Sequence, residues 1–451
     1  MYTKKNSIFL KVNKLIVIIK PSFWFQLAIF VAPLRLYTLS SISGYNLSLF
    51  RVFLMIAIFT LIVSLVKSPF LYLYKINHKY LLLIIILILF FTIIPLLYSN
   101  YLFIGDSLNR FIIKFFGWLW ILFFILCISK YNQDYKNMVR AFLLSAFLPM
   151  VVGWYQWINV FLFNKTIKLP FSSFITSSPN VMGIWYNVYF RPSGTFIEPN
   201  YFGYYLMCIF LLSISLLIKR DFSILKGYYL YLLSISSILL IFISLSLSSL
   251  VGLLFGLIYL LTITYKSFLK GKKIIFLILL IVLFSVFVFT SNFGIIEYIY
   301  DALSLKISSR ASQIDTLFGR ESFVKIIPEA LDKSYLLGVG YGGIIAYTGN
   351  RLSTVHSAFL TIFVEQGIMA FLLIILLFIA AIFYLYKEGK NNISGSAIAI
   401  GLGSALLALV ISNLAYDAMF SFDASWVLIA LSLAKCVLPI DKIENIKLKQ
   451  K

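Results

Sequence analysis

The chain has 451 residues, of which 61% are hydrophobic, 18% are aromatic and only 12% are charged. Charged residues make up about a quarter of ordinary soluble domains, so this composition excludes a soluble globular protein and requires lipid as the surrounding solvent. The formal net charge of +22 would suit a nucleic-acid-binding protein, but the positions of the basic residues give it another explanation.

Apolar stretches of about 18 residues or more predict membrane-spanning helices, and the chain is largely a succession of them. The breaks within 228–265 and within 357–386 are the least distinct. About twelve spans are predicted, at 15–36, 47–66, 80–97, 109–128, 138–163, 200–218, 228–245, 247–265, 273–290, 357–386, 395–414 and 420–437. The predicted fold class is therefore an all-α polytopic membrane protein, with residues 1–451 forming a single integral membrane domain.

Lysine and arginine are concentrated in alternate loops between these spans, for example around Lys75, Lys136 and Lys272. The short loops at 37–46 and 98–108 contain no basic residue. Basic residues favour cytoplasmic loops, so this pattern, with twelve spans, places both termini in the cytoplasm. The net charge therefore reflects membrane topology, and no nucleic-acid partner is implied.

Two long connections, at 164–199 and 291–355, are predicted on the outer face. Connections of this length in compact proteins are usually functional or disordered, and both are rich in aromatic and aliphatic residues. Within the second, apolar residues from Ile314 to Leu331 recur at near-helical spacing, which predicts one or two amphipathic helices on the membrane surface. Pro328 is expected to kink or end this helix.

Arginine is prominent in the two outer loops, at Arg191, Arg310 and Arg320, whereas the cytoplasmic loops use mainly lysine. A solvated surface would explain any one of these arginines about equally well. A guanidinium, however, binds phosphate through a rigid bidentate fork that lysine lacks. The choice of arginine therefore favours recognition of an anion outside the membrane.

The stretch "RPSGTFIEPNYFGYYL", residues 191–206, leads into the sixth span. Pro199 and Asn200 predict the start of a helix, with Asn200 as its N-cap. An ordinary junction between a loop and a helix explains these two residues. It does not explain Arg191 or Glu198 beside so hydrophobic a span.

The stretch "GVGYGG", residues 338–343, resembles a phosphate-binding glycine loop. Such a loop needs a preceding strand and a following helix, and neither is predicted here. We interpret it as a tight turn that returns the outer loop to the membrane.

His356, one of two histidines, lies where the tenth span begins. A polar residue at the membrane interface and a catalytic group are both compatible with this position. Glu365 lies nine residues later, which is about 900° around a helix and places it on the opposite face. A pairing of the two is therefore rejected unless the helix breaks between them. Lys114 and Arg51, within or close to spans, are compatible with a role in a cavity.

Nucleotide hydrolysis, zinc chemistry and a divalent-metal site for sugar nucleotides all lack support in the sequence. The chain has no Walker loop, no His-x-x-x-His spacing, no cysteine pair and no Asp-x-Asp in the outer loops. We therefore predict no metal site and no cofactor.

Three stretches in order resemble the bacterial O-antigen polymerase and O-antigen ligase superfamily of multi-pass membrane glycosyltransferases. They are "RPSGTFIEPNYFGYYL", "GRESFVKIIPEALDKSYLLGVGYGG" and "HSAFLTIFVEQGIMAFLLIILL", and they cover about 190–375. The resemblance implies a GT-C-like helical fold in the bacterial inner membrane. It also implies an undecaprenyl-pyrophosphate-linked oligosaccharide donor handled on the outer face, and it makes a chain-length-regulating co-polymerase a candidate partner.

Carried over by motif, the catalytic residues implied by the resemblance are Arg191, Arg320 and His356. The candidate residues for binding the pyrophosphate or the glycan are Arg310, Glu198, Asn200 and Glu321. Arginines can stabilise a departing pyrophosphate in a preorganised site. A histidine can take the proton of the attacking sugar hydroxyl or orient that hydroxyl.

Within the superfamily, a polymerase of repeat units is favoured over a ligase that transfers the polymer to lipid A core. At 198–200 the chain has "EPN", where other members of the superfamily have "NPN", and "EPN" favours a polymerase. The stretch "SLSLSSLVG" at 244–252 also lacks the Ser-Arg that is common in ligases after the seventh span. Ser357 after His356 departs from a frequent His-Asn pair. A flippase or other transporter is the alternative from another class. Transporters tend to have internal inverted repeats, and none is visible here.

Overall fold

The computed structural model describes residues 20–34, 38–42, 45–67, 78–97, 104–163, 184–186, 189–196, 198–244, 246–269, 336–343, 357–390, 396–414, 419–420 and 422–438. The predicted span at 273–290 and the predicted amphipathic helices of the large loop lie outside these residues. Of the candidate site residues, Arg310, Arg320, Glu321 and His356 also lie outside them.

The described part of the chain is nearly all helical. In chain order its helices are α1 (Pro21–Val31), α2 (Leu49–Lys67), α3 (Lys79–Leu97), α4 (Ile104–Lys130), α5 (Tyr135–Leu144), α6 (Phe147–Phe163), α7 (Pro199–Lys219), α8 (Gly227–Ser244), α9 (Leu247–Leu269), α10 (Ala358–Lys390), α11 (Ser396–Ser412) and α12 (Asp423–Val437). A 3₁₀ turn, Asn132–Asp134, precedes α5. Two short antiparallel hairpins pair β1 (Thr38–Ile42) with β2 (Tyr45–Ser48) and β3 (Ile184–Tyr186) with β4 (Tyr189–Arg191).

Among the described residues, eight helical stretches are long and apolar enough to cross a membrane, and α1 and α11 are shorter apolar helices. The eight are Leu49–Val66, Lys79–Leu97, Ser107–Lys130, Asn132–Val160, Pro199–Lys219, Gly227–Ser244, Ser248–Tyr265 and Ala358–Lys390. The predicted fold class, an all-α polytopic membrane protein, is confirmed. The total of twelve spans and the likeness to GT-C glycosyltransferases stay predictions.

Helix α7 lies at the centre of the bundle and is almost wholly buried, with α8, α9 and α11 packed around it. Small residues allow these helices to approach closely, as is usual where lipid supplies no hydrophobic driving force between helices. A methyl group on Gly252 of α9, for example, would collide with Ser412 and Ala408 of α11. Serine hydroxyls bond across the same helices, as between Ser213 and Ser234 at 2.8 Å. By contrast, α2 exposes large apolar side chains such as Phe59 and Val66 to lipid.

Two predicted spans are interrupted. The predicted span at 138–163 is two helices, α5 and α6, with a turn at Ser145 and Ala146. Pro149 explains the turn, because its ring cannot donate a helical hydrogen bond and would clash with the carbonyl four residues earlier, that of Ser145. The predicted span at 357–386 corresponds to α10, which runs as one element but breaks at Gly367, with φ of 80° and ψ of 177°.

The prediction that Asn200 caps the sixth span is wrong. The N-cap of α7 is Glu198, in extended conformation, and Pro199 takes the first helical position. Proline favours that position and pushes the residue before it into the extended region. Asn200 therefore lies inside the first turn, where its side chain is available to a neighbour.

Candidate functional site

Arg191 joins three elements at the head of the central helix. It ends β4, its Nε donates to the carbonyl of Ser244 at the end of α8 (2.7 Å), and its Nη2 donates to Oδ1 of Asn200 in the first turn of α7 (2.9 Å). The residue is 7% exposed. A buried guanidinium is costly unless its hydrogen bonds are made, and these two protein acceptors hold one edge of the fork in a fixed orientation.

The backbone after Arg191 is held in place by hydrogen bonds between side chains and backbone atoms. Oε1 of Gln156 in α6 accepts from the amides of Ser193 (3.0 Å) and Gly194 (2.9 Å), and Nε2 of Gln156 donates to the carbonyl of Gly194 (3.2 Å). Gly194 has a φ of 58°, which favours glycine. Thr195 Oγ1 donates to the carbonyl of Pro33 (2.7 Å). These bonds fix the approach of the chain to α7, and with it the position of Arg191.

A group of serines lies beside this arginine, where α8 passes into α9. We call Ser244, Ser246, Ser248 and Ser249 the serine junction. Ser246 and Ser249 bond to each other at 2.7 Å, and Tyr204 of α7 donates to Ser248 at 2.6 Å. The junction faces Gly203 of α7 closely. The sequence "SLSLSS" thus provides a hydroxyl-rich wall next to Arg191, which suits contact with a polar ligand.

Glu198 and Asn200, both predicted to bind substrate, lie within the same head of α7. Glu198 is half-buried and makes no capping hydrogen bond with its side chain. Its negative charge at a helix N-terminus is favourable. The structure therefore brings together three of the predicted site residues, Arg191, Glu198 and Asn200, although Asn200 serves as the acceptor for Arg191 and not as a cap.

The start of α10 lies at the same end of the bundle. Ser357 caps this helix, because its Oγ accepts from the amide of Leu360 at 3.4 Å, and Ala358 donates to the carbonyl of Asn413 at 3.2 Å. Asn413 follows α11 directly. The next helix, α12, begins beside α7, because its N-cap residue Phe422 stacks on Tyr201 of α7 with ring centroids 5.4 Å apart. The residue after His356 is thereby anchored near the head of α7. His356 itself lies outside the described residues.

A second polar cluster, unforeseen as a unit, lies inside the membrane part of α4 and α10. Arg110 Nη1 donates to Oε1 of Glu365 at 2.6 Å, and Lys114 Nζ donates to Oε2 at 2.7 Å. Glu365 is completely buried. The amide of Gly342 adds a longer contact to Oε1 at 3.3 Å. We call Arg110, Lys114 and Glu365 the ion cluster.

The glycine turn, residues 338–343, docks onto the break in α10. The break at Gly367 frees carbonyls that a continuous helix would use, and the turn supplies them with donors: Val339 N to Val364 O at 2.9 Å, and Gly340 N to Glu365 O at 3.2 Å. A methyl group on Gly338 or on Gly367 would collide with the backbone of the other segment. The interpretation of "GVGYGG" as a tight turn is confirmed, with Gly338, Gly340 and Gly342 all at positive φ.

Tyr341 fastens this turn to two further helices. Its hydroxyl donates to the carbonyl of Thr92 in α3 (2.9 Å), and its own carbonyl accepts from Ser107 Oγ in α4 (2.7 Å). Lys114 Nζ lies 5.3 Å from the centroid of its ring. Burial, and then the Glu365 carboxylate, raise the pKa of Tyr341 well above 10.0, so the phenol stays a neutral donor.

Sequence reasoning finds this cluster only in part. Lys114 is a candidate for a cavity role, whereas Glu365 is considered only as a partner of His356, and Arg110 is not considered. One signal is present: Arg110 and Lys114 are four residues apart in an apolar span and so share one helix face. Two cations on one face of a membrane helix call for an anion on a neighbouring helix.

Arg51, the other residue that the sequence makes a candidate for a cavity role, is half-buried near the start of α2.

Among the described residues, no three His, Cys, Asp or Glu side chains lie together as a metal site would require. The polar chemistry in the described part of the site comes from a buried arginine, serine and tyrosine hydroxyls, a half-buried glutamate and the ion cluster.

Residues 232–375 match the family model described as "O-Antigen ligase". The match begins in α8, includes the serine junction and the glycine turn, and ends in α10 beyond Glu365. No curated protein matches the chain. Residues 232–375 are therefore similar to the O-antigen ligase family model and lie in a polytopic membrane protein, and this similarity supports the O-antigen polymerase and ligase superfamily.

Proposed function

We propose that this protein polymerises undecaprenyl-pyrophosphate-linked oligosaccharide repeat units into O-antigen or capsular polysaccharide on the outer face of the bacterial inner membrane. The observation that carries the proposal is the buried Arg191, oriented by Ser244 and Asn200 at the head of α7 beside the serine junction. The start of α10, next to His356, lies at the same end of the bundle. Arg191 is our candidate anion-binding group, and Ser357, which follows the candidate base His356 in sequence, lies at the same end of the bundle as Arg191.

The reaction is a glycosyl transfer. A hydroxyl oxygen of the acceptor sugar attacks the anomeric carbon of the donor sugar, and a carbon–oxygen bond forms. The bond from that carbon to the lipid pyrophosphate breaks, and the pyrophosphate leaves with the electron pair. The hydroxyl proton passes to His356, or His356 orients the hydroxyl while the proton passes to the leaving group.

The proposed roles follow from charge. Arg191 and Arg320 stabilise the charge that develops on the pyrophosphate, because preorganised donors in a water-poor site act most strongly where charge develops. Arg310, Glu198, Asn200 and Glu321 bind the pyrophosphate or the glycan. The energy is already stored in the lipid pyrophosphate, so the proposal includes no nucleotide, cofactor or metal. A chain-length-regulating co-polymerase is the proposed protein partner.

The ligase is the second candidate, because the matched family model carries that description. Two sequence features favour a polymerase. One is "EPN" at the head of α7, and the other is the stretch "SLSLSSLVG" around the serine junction, which lacks the Ser-Arg common in ligases. A flippase is the third candidate, since broken helices and buried ions are frequent in transporters, and α10 has both.

Deleting the gene in the source bacterium separates the three candidates, with the surface polysaccharide resolved on a gel. We expect a single repeat unit on the lipid A core or its capsular equivalent, since polymerisation is lost while transfer and export continue. Loss of every repeat unit from the core would contradict the polymerase and favour the ligase. Repeat units trapped on the inner face would favour the flippase. A plasmid copy of the intact gene is the control and should restore long chains.

The proposal also requires residues 291–355 to face outward and Lys272 to face the cytoplasm, with both termini inside. We expect a cysteine introduced at Ser308 to react with a membrane-impermeant thiol reagent added to whole cells. A cysteine introduced at Ser267 should react only after the membrane is permeabilised. The native Cys127, Cys208 and Cys436 are buried and give a low background. The reverse labelling pattern would place the large loop inside and remove the proposed site from the outer face.

A further inference from the structure

Glu365 has more partners than charge balance requires. Its two carboxylate oxygens each take one cation from α4, and Oε1 also accepts from the amide of Gly342. A single cation would neutralise the carboxylate. A second cation within the membrane-spanning part of a protein is expensive, and such residues usually mark function. The arrangement therefore needs an explanation beyond neutralising a buried carboxylate.

The contacts of Glu365 supply such an explanation. The carboxylate of Glu365 binds α4 on one side and the glycine turn on the other, and the turn in turn covers the break in α10. Through Tyr341 the turn also bonds to α3 and α4. Removing the charge of Glu365 would leave two half-buried cations without their shared anion. They would then seek water, and α4 would separate from the turn.

The turn is one end of the segment that carries His356. Residues 344–356 connect the glycine turn to Ser357, and Ser357 is fixed as the cap of α10. The glycine turn, which precedes these residues in the chain, contacts Glu365 of the ion cluster through the amide of Gly342. Glu365 lies eight residues after Ser357, which is roughly 12 Å along the helix, so the cluster lies away from the residue that follows His356 in sequence.

We propose that Glu365, held by Arg110 and Lys114, is a positioning residue for glycosyl transfer: it fixes the glycine turn at the break in α10, and this turn is the described part of the chain that precedes His356 in sequence. The activity arm of this inference rests on the proposed function. The docking of the turn can be measured without any activity, so the two can fail separately.

Docking is measured with a thiol introduced at position 107. The Ser107 side chain is buried beneath the turn and donates to Tyr341, so Ser107→Cys, with Cys127, Cys208 and Cys436 replaced by Ala, should react slowly with a membrane-impermeant maleimide. Adding Glu365→Gln, which keeps the shape and loses the charge, should raise the labelling rate about tenfold or more, the factor that about 1.4 kcal/mol of lost docking energy would produce. Labelling after denaturation in detergent gives the total thiol. Slow labelling in the Glu365→Gln background would overturn the proposal.

Activity is measured on membranes with lipid-linked repeat units extracted from the deletion strain. For Glu365→Gln we expect kcat to fall about tenfold or more while KM changes by less than about threefold, because mispositioning affects the transition state more than ground-state binding. An unchanged kcat together with fast labelling of the introduced thiol would show that docking of the turn does not serve the reaction, and would overturn the positioning role.

Glu365→Gln alone could fail to accumulate, because it leaves two half-buried cations without their anion. The matched variant is Lys114→Met with Glu365→Gln, which returns the net charge of the cluster to its native value without restoring either ion pair. We expect normal protein levels, fast labelling of the introduced thiol and low kcat. Full kcat in this double variant would mean that charge balance alone matters, which contradicts positioning. If the native chain makes no polymer at all, the proposed function fails while the labelling result still decides the docking.

Discussion

Replacing His356 with Ala should lower the rate of polymerisation by about 10²–10⁴-fold, the usual effect of losing a general acid or base. Long chains would then disappear from the gel. Protein level and membrane insertion should be unchanged, because the anchors next to this position are Ser357 Oγ and the backbone of Ala358, which the substitution leaves in place. The measurement is the chain-length distribution in the deletion strain, with the variant supplied on a plasmid.

His356→Gln separates two roles for the imidazole. Glutamine can orient a hydroxyl through hydrogen bonds but cannot take its proton at neutral pH. Partial activity would favour orientation, and no activity would favour proton transfer. The matched control is His78→Ala at the only other histidine. His78 packs on Tyr384 with ring centroids 4.0 Å apart, at the start of α3, and polymer length should not change. Normal polymer from His356→Ala would exclude a catalytic role and move attention to Glu198, Glu321 or the substrate itself.

Replacing Arg191 with Lys should lower activity by about 10²–10³-fold, the effect typical of losing one preorganised donor to a developing anion. Lysine keeps the charge but concentrates it on one nitrogen, which cannot reach Ser244 and Asn200 and still present a planar fork. The measurement is again chain length in the deletion strain. Arg320→Lys is expected to behave in the same way. The matched control is Arg140→Lys, at an exposed arginine of α5, which should make normal polymer.

A structural role for Arg191 would give a different pattern. Its hydrogen bond to Asn200 is worth about 1.5–3 kcal/mol, as for other hydrogen bonds to charged groups, and Asn200→Ala removes it while leaving the guanidinium. If Arg191 contacts phosphate, Arg191→Lys should reduce activity far more than Asn200→Ala at similar losses of thermal stability. Equal losses of activity from the two variants would mean that the Arg191 guanidinium contributes no more than its bond to Asn200, and a direct contact of Arg191 with phosphate would be rejected.

Hydropathy predicts the helices of the central bundle well. The sixth span is predicted at 200–218 and observed at Pro199–Lys219, because a buried membrane helix is apolar on all sides and its ends are polar. The junction between the seventh and eighth spans is also predicted correctly. The breaks at Ser145 and at Gly367 are not predicted, since hydropathy measures composition and carries no information on backbone dihedrals. Pro149 could have indicated the first break.

The break at Gly367 depends on contacts distant in sequence. Its freed carbonyls bond to the glycine turn, and the nearby Glu365 bonds to Arg110 and Lys114, some 250 residues earlier in the chain. No spacing rule within a single helix reveals such partners. Arg191 is predicted from residue type and motif, whereas its fixed orientation depends on Ser244 and Asn200, which only the packing of α7 against α8 brings to it.

The ion cluster also constrains the order in which the protein can be assembled. Arg110 and Lys114 are synthesised long before Glu365, so the bilayer already contains both cations when the carboxylate arrives. A charged side chain in an inserting helix costs at most about 2.5–3.5 kcal/mol, the value at the helix centre, and an attractive partner in an earlier helix lowers that cost. Integration of α10 is thereby coupled to α4. A fragment beginning at Gly227 would bring Glu365 to the translocon without either cation, and co-expressing the first half would restore its insertion.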